Sequence, residues 1–175
     1  MKHSVTKLQI IGFSVTALGG VLLHFLYDLT GNNILISVVS AVNESTWEHM
    51  KLLFFPMFIF ALTEYSFLKE RKNFWCIKLI GILAGLVLIP VLFYTYNGVF
   101  GKSPDFVNIA IFFVSAFAAY LLEWRLFKKN VPKKCSSALS FAILCIIAFA
   151  FILFTFVTPE IPLFKDPITS LYGIK

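Results

Sequence analysis

Charge is scarce in this 175-residue chain, in which Asp, Glu, Lys and Arg together make up 14% of residues and the two acids contribute only nine. Hydrophobic residues make up 59%. They are gathered in runs of about 20, the length that crosses a hydrocarbon core about 30 Å thick. The scarcity excludes an ordinary soluble domain, and the runs use up so much of the chain that a single membrane domain over residues 1–175 is expected. Cysteine is also rare: Cys76, Cys135 and Cys145 are the three present, with no C-x-x-C spacing. All three read as small apolar fillers. No stretch repeats at a fixed period, which excludes a solenoid or a duplicated half. A small-residue cleavage site is missing after the first apolar run, whose far end reads LLHFLYDL, so that run is expected as a retained helix.

What is present is an all-α integral membrane pattern of five spans, at about 8–29, 49–68, 74–96, 106–127 and 138–157, followed by a tail at 158–175. Residues 34–42 are too few to cross and should lie in the interface or dip in and return. Eleven of the fifteen basic residues fall at the N-terminus and around the second and fourth loops, from Lys2 and Lys7 to Lys133 and Lys134. The positive-inside rule then places the N-terminus in the cytoplasm and the C-terminus outside. The opposite face carries four basic residues against six acidic ones. The overall charge of +6 therefore reports topology and contact with anionic lipid, and no nucleic-acid partner is expected. A bacterial cytoplasmic membrane is the expected location. Tyr27, Trp47, Tyr94 and Tyr96 are expected as an outer aromatic belt, with Tyr65, Trp75, Tyr120 and Trp124 as the inner one.

Against this apolar background AVNESTWEHMKLLFFP, residues 41–56, sets Asn43, Glu44, Glu48 and His49 against a greasy helix start. His24 and Asp28 close the first span on the same side, and the tail should bring Asp166 there. These seven residues are the expected ligand-binding set. Ionisable groups gathered at a membrane face are costly and mark function by default. Helix capping is the competing account: Ser45-Thr46-Trp47-Glu48 fits the S-x-x-E capping box, Asn43 or Ser45 can cap, and Lys51 can pair with Glu48. Glu44 and Glu48 would share a face if the helix starts early. The H-x-x-E-H metal pattern fails, because its first histidine would fall on Ser45. A divalent metal such as zinc or manganese would have to be held across helices, by His24, Glu44, Glu48 and His49.

Deeper polar residues have structural explanations. Glu64 lies about 22 Å below His49 at the helical rise, level with Lys78, and a Glu64–Lys78 pair is expected, with Glu123 interfacial beside Arg125. Pro56 and Pro90 each remove a helix hydrogen bond and favour a kink. Gly81 and Gly85 form a small-xxx-small face, a candidate docking surface for a helix of a partner. YTYNGVFGKSPD supplies a glycine-bearing turn after the third span. Pro159, Pro162 and Pro167 rule out a helical tail, yet the tail is apolar enough to pack over the outer mouth.

LLHFLYD, AVNESTWEHMKLLFFP, FYTYNG and PLFKDPITSLYG, in that order across nearly the whole chain, resemble a family of small bacterial membrane proteins catalogued as domain of unknown function 6512. The resemblance implies no activity, cofactor or catalytic residue, so function is read from the residues. The leading expectation is an outward-facing acidic and histidine site for a divalent cation or small cationic solute, serving transport or sensing. The alternative is a metal-dependent hydrolase acting on a lipid or headgroup, in which His49 or Glu48 activates water and Asn43 polarises the substrate. A non-catalytic partner subunit is the third expectation.

Overall fold

The computed structural model describes residues 5–132 and 134–174. Five helices account for most of them: α1 (Val5–Leu29), α2 (Thr46–Leu68), α3 (Phe74–Phe100), α4 (Asp105–Lys129) and α5 (Ser137–Phe156). Each is long and apolar enough to cross a membrane, so the chain is a multi-pass membrane protein in contact with lipid. Short 3₁₀ turns stand at Ile36–Val38 and Pro162–Phe164, and an isolated bridge joins Lys165 to Tyr172. Short connections make successive helices antiparallel. One end of the bundle, here the acidic end, thus gathers the ends of α1, α3 and α5 with the starts of α2 and α4. The other is the basic end.

α2 is the central helix. Its Leu52, Leu53, Phe54, Phe55, Met57 and Ala61 are all buried, and it packs on each of the other four helices. α1 and α5 instead show large apolar side chains to the outside, among them Leu18, Leu22, Phe25, Leu139, Ile146 and Phe149. In water such faces would aggregate; in a bilayer they meet hydrocarbon. α2 and α3 run unbroken through Pro56 and Pro90.

Several expectations are corrected by packing. Gly81 lies against the Glu123 side chain, and Gly85 against Leu53 and Ala119, so the small-residue face seats α4 and α2 of this chain and leaves no surface for a second one. α3 continues through Asn97 and Gly98 to Phe100, and the turn falls at Gly101, whose φ of 82° suits a residue without Cβ. Tyr27, Trp75 and Tyr120 are buried rather than belted at the lipid surface. Tyr120 turns inward because its hydroxyl finds Thr16 Oγ1 at 2.8 Å. Cys76 and Cys135 are joined as a disulfide at the basic end, so neither is a filler; Cys145 is free and exposed on α5.

The segment between α1 and α2 folds back onto the bundle. Ser37, Ser40, Ala41 and Val42 are buried, and Ser40 Oγ clasps the end of α1, accepting from Tyr27 N–H at 3.0 Å and donating to the Leu23 carbonyl. The tail closes over the same end. Phe164 is buried, its ring 4.6 Å from that of Trp47 and 5.8 Å from that of Phe154.

Candidate functional site

The start of α2 decides which polar residues meet. Ser45 is the N-cap, with extended backbone, and its hydroxyl accepts from Glu48 N–H at 3.3 Å. Glu44 therefore stands outside the helix. Instead of sharing a face with Glu48, four residues on, it turns toward α1. Its Oε1 lies 3.6 Å from His24 Nε2 and its Oε2 lies 3.6 Å from His49 Nε2. The two imidazoles are 5.6 Å apart at their centroids. One ligand atom from each of the three residues can be chosen so that all lie within 4.8 Å of one another.

The tautomer of His49 follows from its neighbour. Nδ1 lies 2.9 Å from the Ser45 carbonyl oxygen, which can only accept, so Nδ1 carries a proton and, in the neutral imidazole, Nε2 presents a lone pair toward Glu44. This is the outer-sphere arrangement typical of metal-binding histidines, one nitrogen held by a backbone carbonyl and the other free to ligate. The N-cap residue thus does two jobs through different atoms. His24 Nδ1 is buried without a hydrogen-bond partner. Zinc bonds of about 2.0–2.2 Å in a tetrahedron imply ligand separations of roughly 3.3–3.6 Å, so small side-chain rotations would close the triad on an ion.

The other expected members of the set go elsewhere. Glu48 is buried and its Oε2 takes Lys51 Nζ at 2.5 Å and Val42 N–H at 3.2 Å. Lys51, itself fully buried, also donates to the Ser37 carbonyl at 2.9 Å and to Thr155 Oγ1 at 3.0 Å. This pair is a clamp holding residues 37–42 and α5 to α2. Asn43 accepts from Ser45 N–H at 2.9 Å and donates to the Gly173 carbonyl at 2.9 Å, tying the tail down. Asp166 does reach this end, but its carboxylate closes a turn, accepting from Ile168 N–H at 2.7 Å and from the Thr169 hydroxyl at 2.8 Å. Asp28 is exposed. A cleft of about 180 Å³ nevertheless has His24, Asp28, Asn43, Glu44 and Asp166 in its wall, which makes the approach to the triad from the tail side acidic.

A second cleft, of about 130 Å³, reaches the triad from between α1 and α4. Its wall is formed by His24, Phe25, His49, Asn108, Phe112 and Phe113, with Gly20 and Val21 beneath. Asn108 was not singled out from the sequence. It sits one turn into α4, held by Ser103, whose hydroxyl donates to its Oδ1 at 2.8 Å. The available signal was a lone amide in the apolar run FVNIAIFF.

Among known proteins, the model of the family of unknown function DUF6512 matches residues 1–174, and the chain belongs to that family. No curated protein and no solved structure matches it.

Proposed function

We propose that this DUF6512 protein binds one divalent cation, zinc foremost, through His24, Glu44 and His49. The observation that carries the proposal is the convergence of three ligand atoms from α1, the 30–45 connection and α2, with the tautomer of His49 fixed by Ser45. Two imidazoles and one carboxylate match the preference of zinc, and three protein ligands leave a fourth position for water or a substrate. The distribution of basic residues favours an outward orientation of this end, where an acidic approach would raise the local cation concentration. Glu48 is not in the ligand set, because Lys51 occupies its carboxylate.

Calorimetric titration of zinc into protein purified with chelator and then freed of it tests this. One site per chain is expected, lost in Glu44→Gln and in His49→Ala. The paired change Glu48→Gln with Lys51→Met, which removes the clamp without stranding a charge, should keep it. Binding unchanged in both single variants would reject the site. Because ligating histidines must be neutral, affinity should fall as the solution is acidified.

The cleft between α1 and α4 favours a second reading, a metal-dependent hydrolase for a lipid or headgroup. Its almost wholly apolar wall meets the triad at one end, so an acyl chain would lie there with its polar group at the open coordination position. Asn108 rather than Asn43 would then face the substrate. Turnover of phospholipid in vesicles that requires added zinc and is lost in Glu44→Gln supports it; zinc binding without turnover leaves a binding or sensing site.

A further inference from the structure

A second group of ionisable side chains lies in the basic half of the bundle, four turns of α2 away from the histidines. Glu64 of α2, Lys78 of α3 and Glu123 of α4 are all fully buried. Lys78 Nζ stands 2.8 Å from Glu64 Oε2 and 2.5 Å from Glu123 Oε2. The expected Glu64–Lys78 pair is present, but Glu123 has left the interface to join it, admitted by the missing side chain of Gly81. α1 adds Gln9, which is buried and donates to Glu64 Oε1 at 2.8 Å. Tyr120 and Thr16 bond each other and bring no charge, the Tyr120 ring lying 5.3 Å from the ammonium. Among the described residues, two carboxylates therefore face one ammonium.

That count is unbalanced. With every group ionised, the network would hold a net negative charge among four membrane-spanning helices, where an uncompensated charge is strongly disfavoured. The Glu48–Lys51 clamp, one carboxylate to one ammonium, shows no such imbalance. Hydrogen bonding is short on the same side. Among the described residues, Glu123 Oε1 and Gln9 Oε1 are buried acceptors with no donor, and Glu64 Oε2 meets the ammonium without a hydrogen bond. Buried acceptors lacking donors call for one more hydrogen.

We infer that Glu64 and Glu123 together hold one dissociable proton, so that the network of Gln9, Glu64, Lys78 and Glu123 is a proton-binding site within the membrane. The proton belongs to the pair, since both carboxylates face the same ammonium. Gln9 suits both states of the site. Its amide donates to ionised Glu64 and, turned over, accepts from the protonated form. It also forms part of the wall of a cleft of about 240 Å³ between α1 and α4, with Thr6, Phe13, Tyr120 and Trp124, so that Gln9 stands between the buried carboxylates and that cleft. Protonation would thereby alter the contact joining α1 to α2 through Gln9 and Glu64, at a point remote from the histidine triad.

Infrared spectroscopy of the full chain in an ester-free detergent at neutral pH tests the inference. The protonated carboxyl group should give one carbonyl stretch per chain that shifts in heavy water. Glu64→Gln and Glu123→Gln should each abolish it, because the remaining carboxylate then balances Lys78. Lys78→Met should double it, and this arm decides the matter if the glutamine variants fail to fold. Absence of the band in the wild type, its survival in either glutamine variant, or a single band in Lys78→Met would overturn the proposal.

Discussion

Glu44 and Glu48 are four residues apart in sequence and serve different chemistry, because the N-cap at Ser45 falls between them. The N-cap at Ser45 and the i, i+3 pair of Glu48 with Lys51 were legible in the sequence. The capping box is only half formed, because Ser45 N–H goes to Asn43 and the Glu48 carboxylate to Lys51 and Val42. The face sharing expected of Glu44 and Glu48 is absent, since it required a helix already formed at Glu44. Full burial of Lys51 fixes the consequence for Glu48. Glu48→Gln strands an ammonium inside the bundle and should cost about 3–5 kcal/mol, read as a large drop in melting temperature in detergent. Adding Lys51→Met should restore most of that loss. Glu44→Gln, at a half-exposed side chain, should leave the melting temperature of the metal-free protein nearly unchanged while removing zinc binding. Asn108 escaped notice because a single amide in an apolar helix carries no pattern; only the packing of α4 on α1 brings it to the histidines.

At the scale of elements, the five helices were readable from run length alone, and their ends were not. α3 outruns its apolar stretch because Asn97 bonds the Phe93 carbonyl at 2.7 Å and holds the backbone of Ser103 at 2.8 Å, stabilising the last turn from within. The tail illustrates the opposite case. Its prolines excluded a long helix, and among the described residues its only helical piece is a 3₁₀ turn; of its apolar residues Phe164 is buried, while Ile161, Ile168 and Leu171 stay exposed. Trp47, Phe151, Phe154 and Phe164 form one aromatic group, with ring separations of 4.5 Å for Trp47–Phe151 and 4.6 Å for Trp47–Phe164. Phe164→Ala should therefore cost about 3–5 kcal/mol, the range for a large buried aromatic. Removing residues 161–174 should expose Trp47, free Asn43 and speed proteolysis of the 34–42 connection. Melting and cleavage that match the intact protein would show that the tail does not hold the acidic end closed. Gly81→Ala belongs at this scale as well, since its methyl group would collide with Glu123 and push α3 from α4.

Over the whole molecule, the apolar runs made a multi-pass protein legible and the pairs Glu64–Lys78 and Glu48–Lys51 were readable, while the entry of Glu123 was hidden because nothing in a sequence separates an interfacial glutamate from one turned inward. Orientation remains a prediction of the basic-residue count. A cysteine introduced at Ile168 should react with an impermeant thiol reagent in intact cells, and one at Asn130 should not. The reverse pattern would put the histidine cluster inside. The Cys76–Cys135 disulfide lies at the basic end; if that end faces the cytoplasm, as the basic-residue count predicts, the two thiols are kept reduced in cells. Alkylation before lysis should then trap both as free thiols, and the bridge should form only on oxidation after extraction. A bridge already complete in cells would argue that this end faces an oxidising compartment. The central claim, that His24, Glu44 and His49 hold a divalent cation, is tested most directly by X-ray absorption at the zinc edge on protein carrying one equivalent of zinc. The account predicts two imidazole nitrogens and carboxylate or water oxygen at about 2.0–2.2 Å, with the imidazole scattering halved in His49→Ala. A zinc shell without imidazole, or one unchanged in that variant, would contradict it.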